Sequence, residues 1–283
     1  MARKLTDPKS WFSSGTTIPL IRLYGAIAPG RSGPLSGRTL AHAPLEKAIE
    51  QAFAVKKPKA VALAINSPGG APGQSSLIAR HIRQLADEKE VPVIAFCEDV
   101  AASGGYLLAC AADEIIVNEY TIIGSVGVIS AGFGAHEAIA KLGIERRIYR
   151  AGKRKVLSDM FSEEDPDDVA RLKELQRAIH ERFIDWVKTR RGDRLDANAE
   201  LFEGDIWVGA QALELGIADG VGQMREVLKE RFGKDIRIKE FGAAPKGLLS
   251  RLTGGGASAA GAGASEALLG GVEDRLEWSR YGL

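Results

Sequence analysis

The stretch AVALAINSPGG, residues 60–70, decides the fold. Its first seven residues form an apolar run that ends at Asn66, the composition of a strand buried on both faces. Ser67-Pro68-Gly69-Gly70 then reads as a turn at the end of that strand. VPVIAFC (91–97) repeats the buried-strand pattern, and the residues between, roughly 74–89, have helical spacing. Upstream, IPLIRLYGAI (18–27) alternates apolar and polar residues and runs into APGRSGPLSG, a strand followed by a loop. PLEKAIEQAFAV (44–55) is again helical in period. Downstream, ASGGYLLACAAD (102–113) opens on a small-residue turn and continues as an apolar helix. EIIVN (114–118), GSVGVIS (124–130) and IERRIYR (144–150) read as strands. Strands alternating with helices from 18 to 150 predict an α/β layer fold with a largely parallel sheet.

Beyond this core, EEDPDDVARLKELQRAIHERFIDWVKTRRG (163–192) predicts one long amphipathic helix, acidic at its start and basic at its end, as the helix dipole favours. LFEGDIWVGAQALELGIADGVG (201–222) predicts a short strand, a helix and a closing strand. Residues 1–17 read as a polar arm and 18–242 as the main domain. Residues 243–270, Gly/Ala-rich in their later part, are expected to be a flexible linker. The final segment, 271–283, carries Leu276, Trp278 and Tyr281, which suit a short docking helix.

Composition narrows the function. The 283 residues are 45% hydrophobic, enough for a substantial core, and the net charge of +1 implies no bulk attraction to nucleic acid or membrane. Cys97 and Cys110 sit in apolar runs and read as buried free thiols of a reducing compartment. Two cysteines and four scattered histidines make no recognisable metal set. The N-terminus has basic residues but no apolar stretch behind them, and no run of about 18 apolar residues occurs. The expectation is a cytoplasmic protein without a membrane span, which leaves peripheral membrane association open.

Two small-residue turns carry the chemistry. Ser103 lies between the strand at 91–97 and the helix that follows, in Ala101-Ala102-Ser103-Gly104-Gly105. Such a serine can be a plain helix cap, or a nucleophile whose alanine and glycine neighbours let another backbone approach. The N–H of Gly104 would point from the helix start at an oxyanion beside Ser103. The turn ending at Gly70 could offer a second N–H, since ligands gather at the C-terminal ends of parallel strands. No histidine stands in a turn motif: His81 and His180 fall within helical charge runs that suggest solvated side chains. A lysine can act as base if its ordinary pKa of about 10.4 falls toward neutrality. Ala151-Gly152-Lys153-Arg154-Lys155 supplies candidates, although the same cluster suits a basic surface loop.

Taken together, NSPGG, ASGGYLLACAAD, IGSVGV and AGKRK, in this order, resemble the signal peptide peptidase A (protease IV) family of serine–lysine peptidases. Ser125 follows Ser103 by 22 positions and Lys155 follows it by 52, as in that family. The resemblance covers roughly residues 18–235. It implies a Clp-protease/crotonase-like fold of repeated strand-strand-helix units, with Ser103 as nucleophile and Lys155 as general base. Ser125 is then the hydroxyl that orients the lysine, and Gly70 and Gly104 the oxyanion donors, with no metal or organic cofactor. It further implies hydrolysis of small peptides or unfolded segments through an acyl-enzyme, and a homo-oligomer whose active sites draw on adjacent protomers. The small and apolar residues around Ser103 suit extended peptides with small or hydrophobic side chains. Familiar members carry an N-terminal membrane anchor that this sequence does not show. Two alternatives stay open: a crotonase-like acyl-CoA enzyme that reuses the two-glycine oxyanion hole, and a catalytically idle peptide-binding scaffold.

Overall fold

A computed structural model describes residues 16–29 and 39–242. The expected arm through residue 15, the linker from 243 and the terminal segment lie outside these residues. The elements are β1 (Thr17–Tyr24), α1 (His42–Phe53), β2 (Val61–Ser67), α2 (Pro72–Lys89), β3 (Val93–Ala102), α3 (Gly104–Ala109), β4 (Glu114–Val117), β5 (Ile122–Gly124), α4 (His136–Lys141), α5 (Pro166–Arg191), β6 (Ile206–Val208), α6 (Gly209–Glu214), β7 (Gly220–Val221), α7 (Met224–Phe232) and β8 (Arg237–Phe241). One sheet runs in the order β6-β5-β3-β2-β1-β8, and β4 and β7 branch from β3. Every pairing is parallel except β5 with β6. This is the α/β, largely parallel architecture expected. The second strand of the expected repeating unit is short, reduced at Ile27 to bridges with Leu40 and Gly70.

The apolar runs are explained by cover on both faces. Along β2, Val61, Leu63 and Ile65 pack among residues of α1, α2 and α3, while Ala60, Ala62 and Ala64 meet Leu228 of α7 and Phe96. The period of two thus sorts large side chains to one face and alanines to the other. The long helix starts where the sequence says it should. Asp165 accepts the N–H of Asp167, Pro166 takes the first turn, and Lys188, Arg190 and Arg191 close the last. Its C-terminal end is locked by Arg191, whose side chain is 1% exposed and reaches Asp219 at 2.7 Å. Arg191 also donates to the carbonyl of Gly216.

Three expectations need correction. IERRIYR (144–150) is not a strand: all seven residues are exposed and none pairs with another strand. None of the described strands offers it a partner. GSVGVIS keeps only its first residue in β5, because Ser125 turns the chain with φ at +53°. The helix after Ser103 ends at Ala109, followed by a turn. The sequence reading also missed α4, α7 and β8.

β3 is the strand on which the sheet forks. Its first half pairs with β4, from Ile94 opposite Glu114 to Cys97 opposite Val117. Its last residues pair with β5, from Val100 opposite Ile122 to Ala102 opposite Gly124. Between the halves the register against β2 slips: Ile65 pairs with Cys97, but Ser67 pairs with Ala101. Three residues of β3, Glu98 to Val100, therefore face the single Asn66 of β2, which is a bulge. Two polar side chains hold it. Asn66 accepts the N–H of Val100 at 3.1 Å and donates to the Asp99 carboxylate at 2.6 Å. From the other side, the hydroxyl of buried Thr121 shares its proton between the carbonyls of Cys97 and Glu98, at 3.0 and 2.6 Å.

Candidate active site

The bulge aims the last three residues of β3 at the turn after β2. Ser103 follows, with φ +51° and ψ −120°, and its side chain makes no capping hydrogen bond to α3. A non-glycine residue in this region is strained, and the strain must be held by its surroundings. The N–H of Ser103 is fixed to the carbonyl of Gly124 at 2.8 Å, and that of Ser125 to the carbonyl of Asp205 at 2.6 Å. Ser103 and Ser125 thus stand at the ends of paired strands, each at positive φ and each partly exposed. The structure brings these two hydroxyl-bearing turns side by side.

Gly69 and Gly70 close the other side. A Cβ on Gly69 would sit 2.8 Å from the Ala102 carbonyl, the Gly104 nitrogen and the Ser103 Cβ. Only glycine allows the two turns to come so near, and its φ of +104° adds to the requirement. Buried Ser67 braces the loop: its hydroxyl donates to the carbonyl of Gly25 at 2.7 Å and accepts the N–H of Gly69 at 3.2 Å. The loop is further tied by Ile27 N–H to Gly69 and by Ala71 N–H to Ile27, both 2.7 Å. These turn bonds engage the N–H groups of Gly69, Ala71 and Ser103 and leave out those of Gly70 and Gly104.

Ser103, Gly70 and Gly104 line one cavity of about 390 Å³. Its walls are Ala79 of α2, Leu107 of α3, Val128, and Ile179, Phe183 and Trp186 of α5. Trp186 anchors the helix wall by donating its indole N–H to the Leu107 carbonyl at 3.1 Å. His180 joins the same helix to the site through Val126, whose carbonyl lies 3.0 Å from its ring. His180 and His81 are half-buried and each has a partner, where the sequence suggested solvated side chains; His81 meets His42 at 3.1 Å. Their charged neighbours along each helix concealed these contacts. Cys110 is buried beneath α3, its thiol pushed by desolvation up to about 12, and burial raises Cys97 as well. Both thiols are free.

Lys155 is placed differently. It lies on an exposed turn, its N–H bonded to the carbonyl of Gly152, and is not among the residues lining the cavity. The surrounding segment packs little against its own chain. α4 has no buried residue, and Ile129, Phe133, Leu142, Ile144, Tyr149 and Met160 are exposed. Internal ties hold it instead. Ala135 N–H bonds the Met160 carbonyl, and Arg146 pairs with Asp159 at 3.0 Å, which lowers the Asp159 pKa chiefly through that hydrogen bond.

A strained serine between a strand and a helix of an α/β sheet protein shares a cavity with Gly70 and Gly104, whose N–H groups are left out of the turn bonds. The model of peptidase family S49 matches residues 85–233, and the chain belongs to that family. Putative protease slr0021 of Synechocystis is 31% identical over 248 residues, covering 86% of this chain and 85% of that protein. Putative signal peptide peptidase SppA of Enterococcus faecium is 30% identical over 239 residues, covering 81% and 68%. A protein named Na(+)/H(+) antiporter NhaA from Brucella abortus is 45% identical over 284 residues, covering 98% of this chain but 38% of that protein. The chain thus spans about two fifths of the first curated relatives it matches. Among the described residues no helix is long and apolar enough to cross a membrane.

Proposed function

We propose that this chain is a serine peptidase that hydrolyses peptide bonds through a Ser103–Lys155 dyad. The observation that carries the reading is Ser103 itself, held at positive φ in a cavity with the N–H groups of Gly70 and Gly104 left out of the surrounding turn bonds. Neutral Lys155 removes the Ser103 proton as Oγ attacks the scissile carbonyl. The developing oxyanion accepts hydrogen bonds from Gly70 and Gly104, each such donor worth about 2.7–4 kcal/mol in the transition state. The ammonium of Lys155 then protonates the leaving amine, and water, activated by the same lysine, releases the acyl group and restores Ser103. Ser125 accepts a hydrogen bond from the lysine and orients it. Its place beside Ser103 at the end of the neighbouring strand supports that role. Free buried cysteines suit work in the cytoplasm.

The site is completed by a second copy of the chain. The lysine turn lies outside the cavity of its own chain, and the segment carrying it exposes a row of large apolar residues that a neighbouring protomer would cover. Cleavage of a fluorogenic peptide or casein should fall to background in Ser103→Ala and in Lys155→Ala, while Lys153→Ala stays active. A fluorophosphonate should label wild type and spare Ser103→Ala. Mixing the two inactive proteins under verified subunit exchange should restore part of the activity. Activity that survives Ser103→Ala would refute the dyad. Exchange without recovery would place both residues of a site in one chain.

A further inference from the structure

The mouth of the cavity carries three ionised side chains, Arg80, Arg182 and Asp185. Arg182 and Asp185 are neighbours on α5, 3.9 Å apart and exposed, and carry opposite charges. Arg80 is different. Its Nε donates to Ser76 Oγ at 3.3 Å and its guanidinium lies 5.4 Å from the Trp186 ring centroid, over the ring. No carboxylate of the described residues pairs with it within 4 Å, whereas Arg83 on the same helix and Arg171 on α5 are paired. A hydrogen bond on one side and an aromatic face on the other fix the planar fork, and the remaining N–H groups are left for a partner. A fork held this way matches a carboxylate, which it can bind through two parallel hydrogen bonds.

Its position sets where that carboxylate lies. Ser76 is one turn along α2 from Pro72, about 6 Å of helix rise, and Pro72 follows closely on Gly70. An extended peptide advances roughly 3.3 Å per residue. With the step from Gly70 to Pro72 and the reach of the fork added, a carboxylate on Arg80 is within about two to four residues of a carbonyl held at Gly70 and Gly104. The apolar walls formed by Leu107, Ile179 and Phe183 take the side chain next to the scissile bond. We infer that Arg80 is a specificity residue that selects peptides bearing a carboxylate about two to four residues from the cleaved bond, beyond an apolar side chain. This rests on the peptidase reading above. The carboxylate comes either from an acidic side chain or from the C-terminus of a short peptide.

The experiment uses the full-length protein and matched fluorogenic peptides in which Glu or Gln occupies each position within four residues of the scissile bond, plus a pair ending in a free acid or an amide. The readout is the ratio of kcat/KM within each pair, so a general loss of activity cancels. In wild type, one pair should favour the acid by about tenfold or more. In Arg80→Gln the ratio should fall to near one, and in Arg80→Glu a Lys peptide should outrun its Glu counterpart. A preference confined to internal pairs identifies a side chain, and one confined to the terminal pair identifies the chain end. Ratios near one in every wild-type pair, or an acid preference that persists in Arg80→Glu, would overturn the inference. Binding of the same pairs to Ser103→Ala, followed by fluorescence anisotropy, reads the preference without turnover. Equal affinities there defeat the Arg80 inference alone, whereas an acid preference without any wild-type cleavage supports it and defeats the peptidase reading.

Discussion

Replacing Asn66 tests whether the bulge in β3 aims the nucleophile. Asn66→Ala removes the acceptor for the Val100 N–H and the donor to Asp99. Val100 is fully buried, so its N–H loses its partner without gaining water, at a cost of about 1–3 kcal/mol. The bond to Asp99 is charge-assisted but exposed and adds less. A total of about 2–3 kcal/mol corresponds to a fall in Tm of roughly 4–10 °C for a domain of this size. The bulge also fixes which residue of β3 pairs with Ser67, and through it the position of Ser103. Turnover should therefore drop at least about tenfold in kcat with a smaller change in KM, the mark of lost transition-state geometry. Asn66→Asp keeps the acceptor for Val100 but sets a carboxylate against Asp99. One of the two would hold a proton more readily in the fold than in the open chain, so this variant should lose stability as pH rises through the carboxylate range. Thermal melts from pH 4 to 8, paired with peptide kinetics, measure both effects. A variant Asn66→Ala within about 0.5 kcal/mol of wild type and with unchanged kcat would refute the argument.

Two further outcomes follow from the geometry. Gly69→Ala forces a Cβ into the contact with Ala102, Ser103 and Gly104, so kcat should fall about a hundredfold or more while circular dichroism shows a folded protein; retention of wild-type rates would show that the two turns need not touch. Asp219 is pushed up by burial, but hydrogen bonds from Arg191 and the Ile115 N–H, with the charges of Arg191 and Arg194, outweigh this and hold its pKa below the ordinary carboxylate value. Its contribution is therefore present at neutral pH and lost as pH falls through the lowered pKa; Asp219→Asn should destabilise by about 3–5 kcal/mol at pH 7, with a smaller penalty in acid, as chemical denaturation at the two pH values would measure.

The sheet was legible where chain pattern and burial agree. The runs at 60–66 and 91–97 are largely apolar because helices cover both faces; β2 exceeds its run by Ser67 alone, whereas β3 continues through the bulge to Ala102, beyond the run that announced it. The long helix was legible from Asp165 and Pro166 at one end and its basic residues at the other. β8, RIKEF, was not, since an edge strand whose Arg237, Lys239 and Glu240 are all exposed has no apolar run to detect. Ser103 and Gly70 stood out as small-residue turns, but the features that hold them are contacts between distant segments. Asn66 was visible only as part of a motif, and nothing in the sequence joined Thr121 to the carbonyls of β3 or His180 to Val126. The segment 144–150 misled because its local composition is silent on whether a partner strand exists, and none of the described strands pairs with it.

The pairing of β1 with β8 has a consequence during synthesis. Thr17 lies opposite Arg237, about 220 positions later, and Pro19 opposite Lys239. One edge of β1 can be paired by β2 soon after both emerge, but the other must wait until almost the whole domain has been translated. At roughly 5–20 residues per second that wait is on the order of 10–40 s. Throughout it, a strand rich in isoleucine and leucine presents an open edge to other nascent chains, interrupted only by Pro19, which has no N–H to donate. A pause in translation before residue 237 would prolong the exposure, and completion of β8 would end it in a single step.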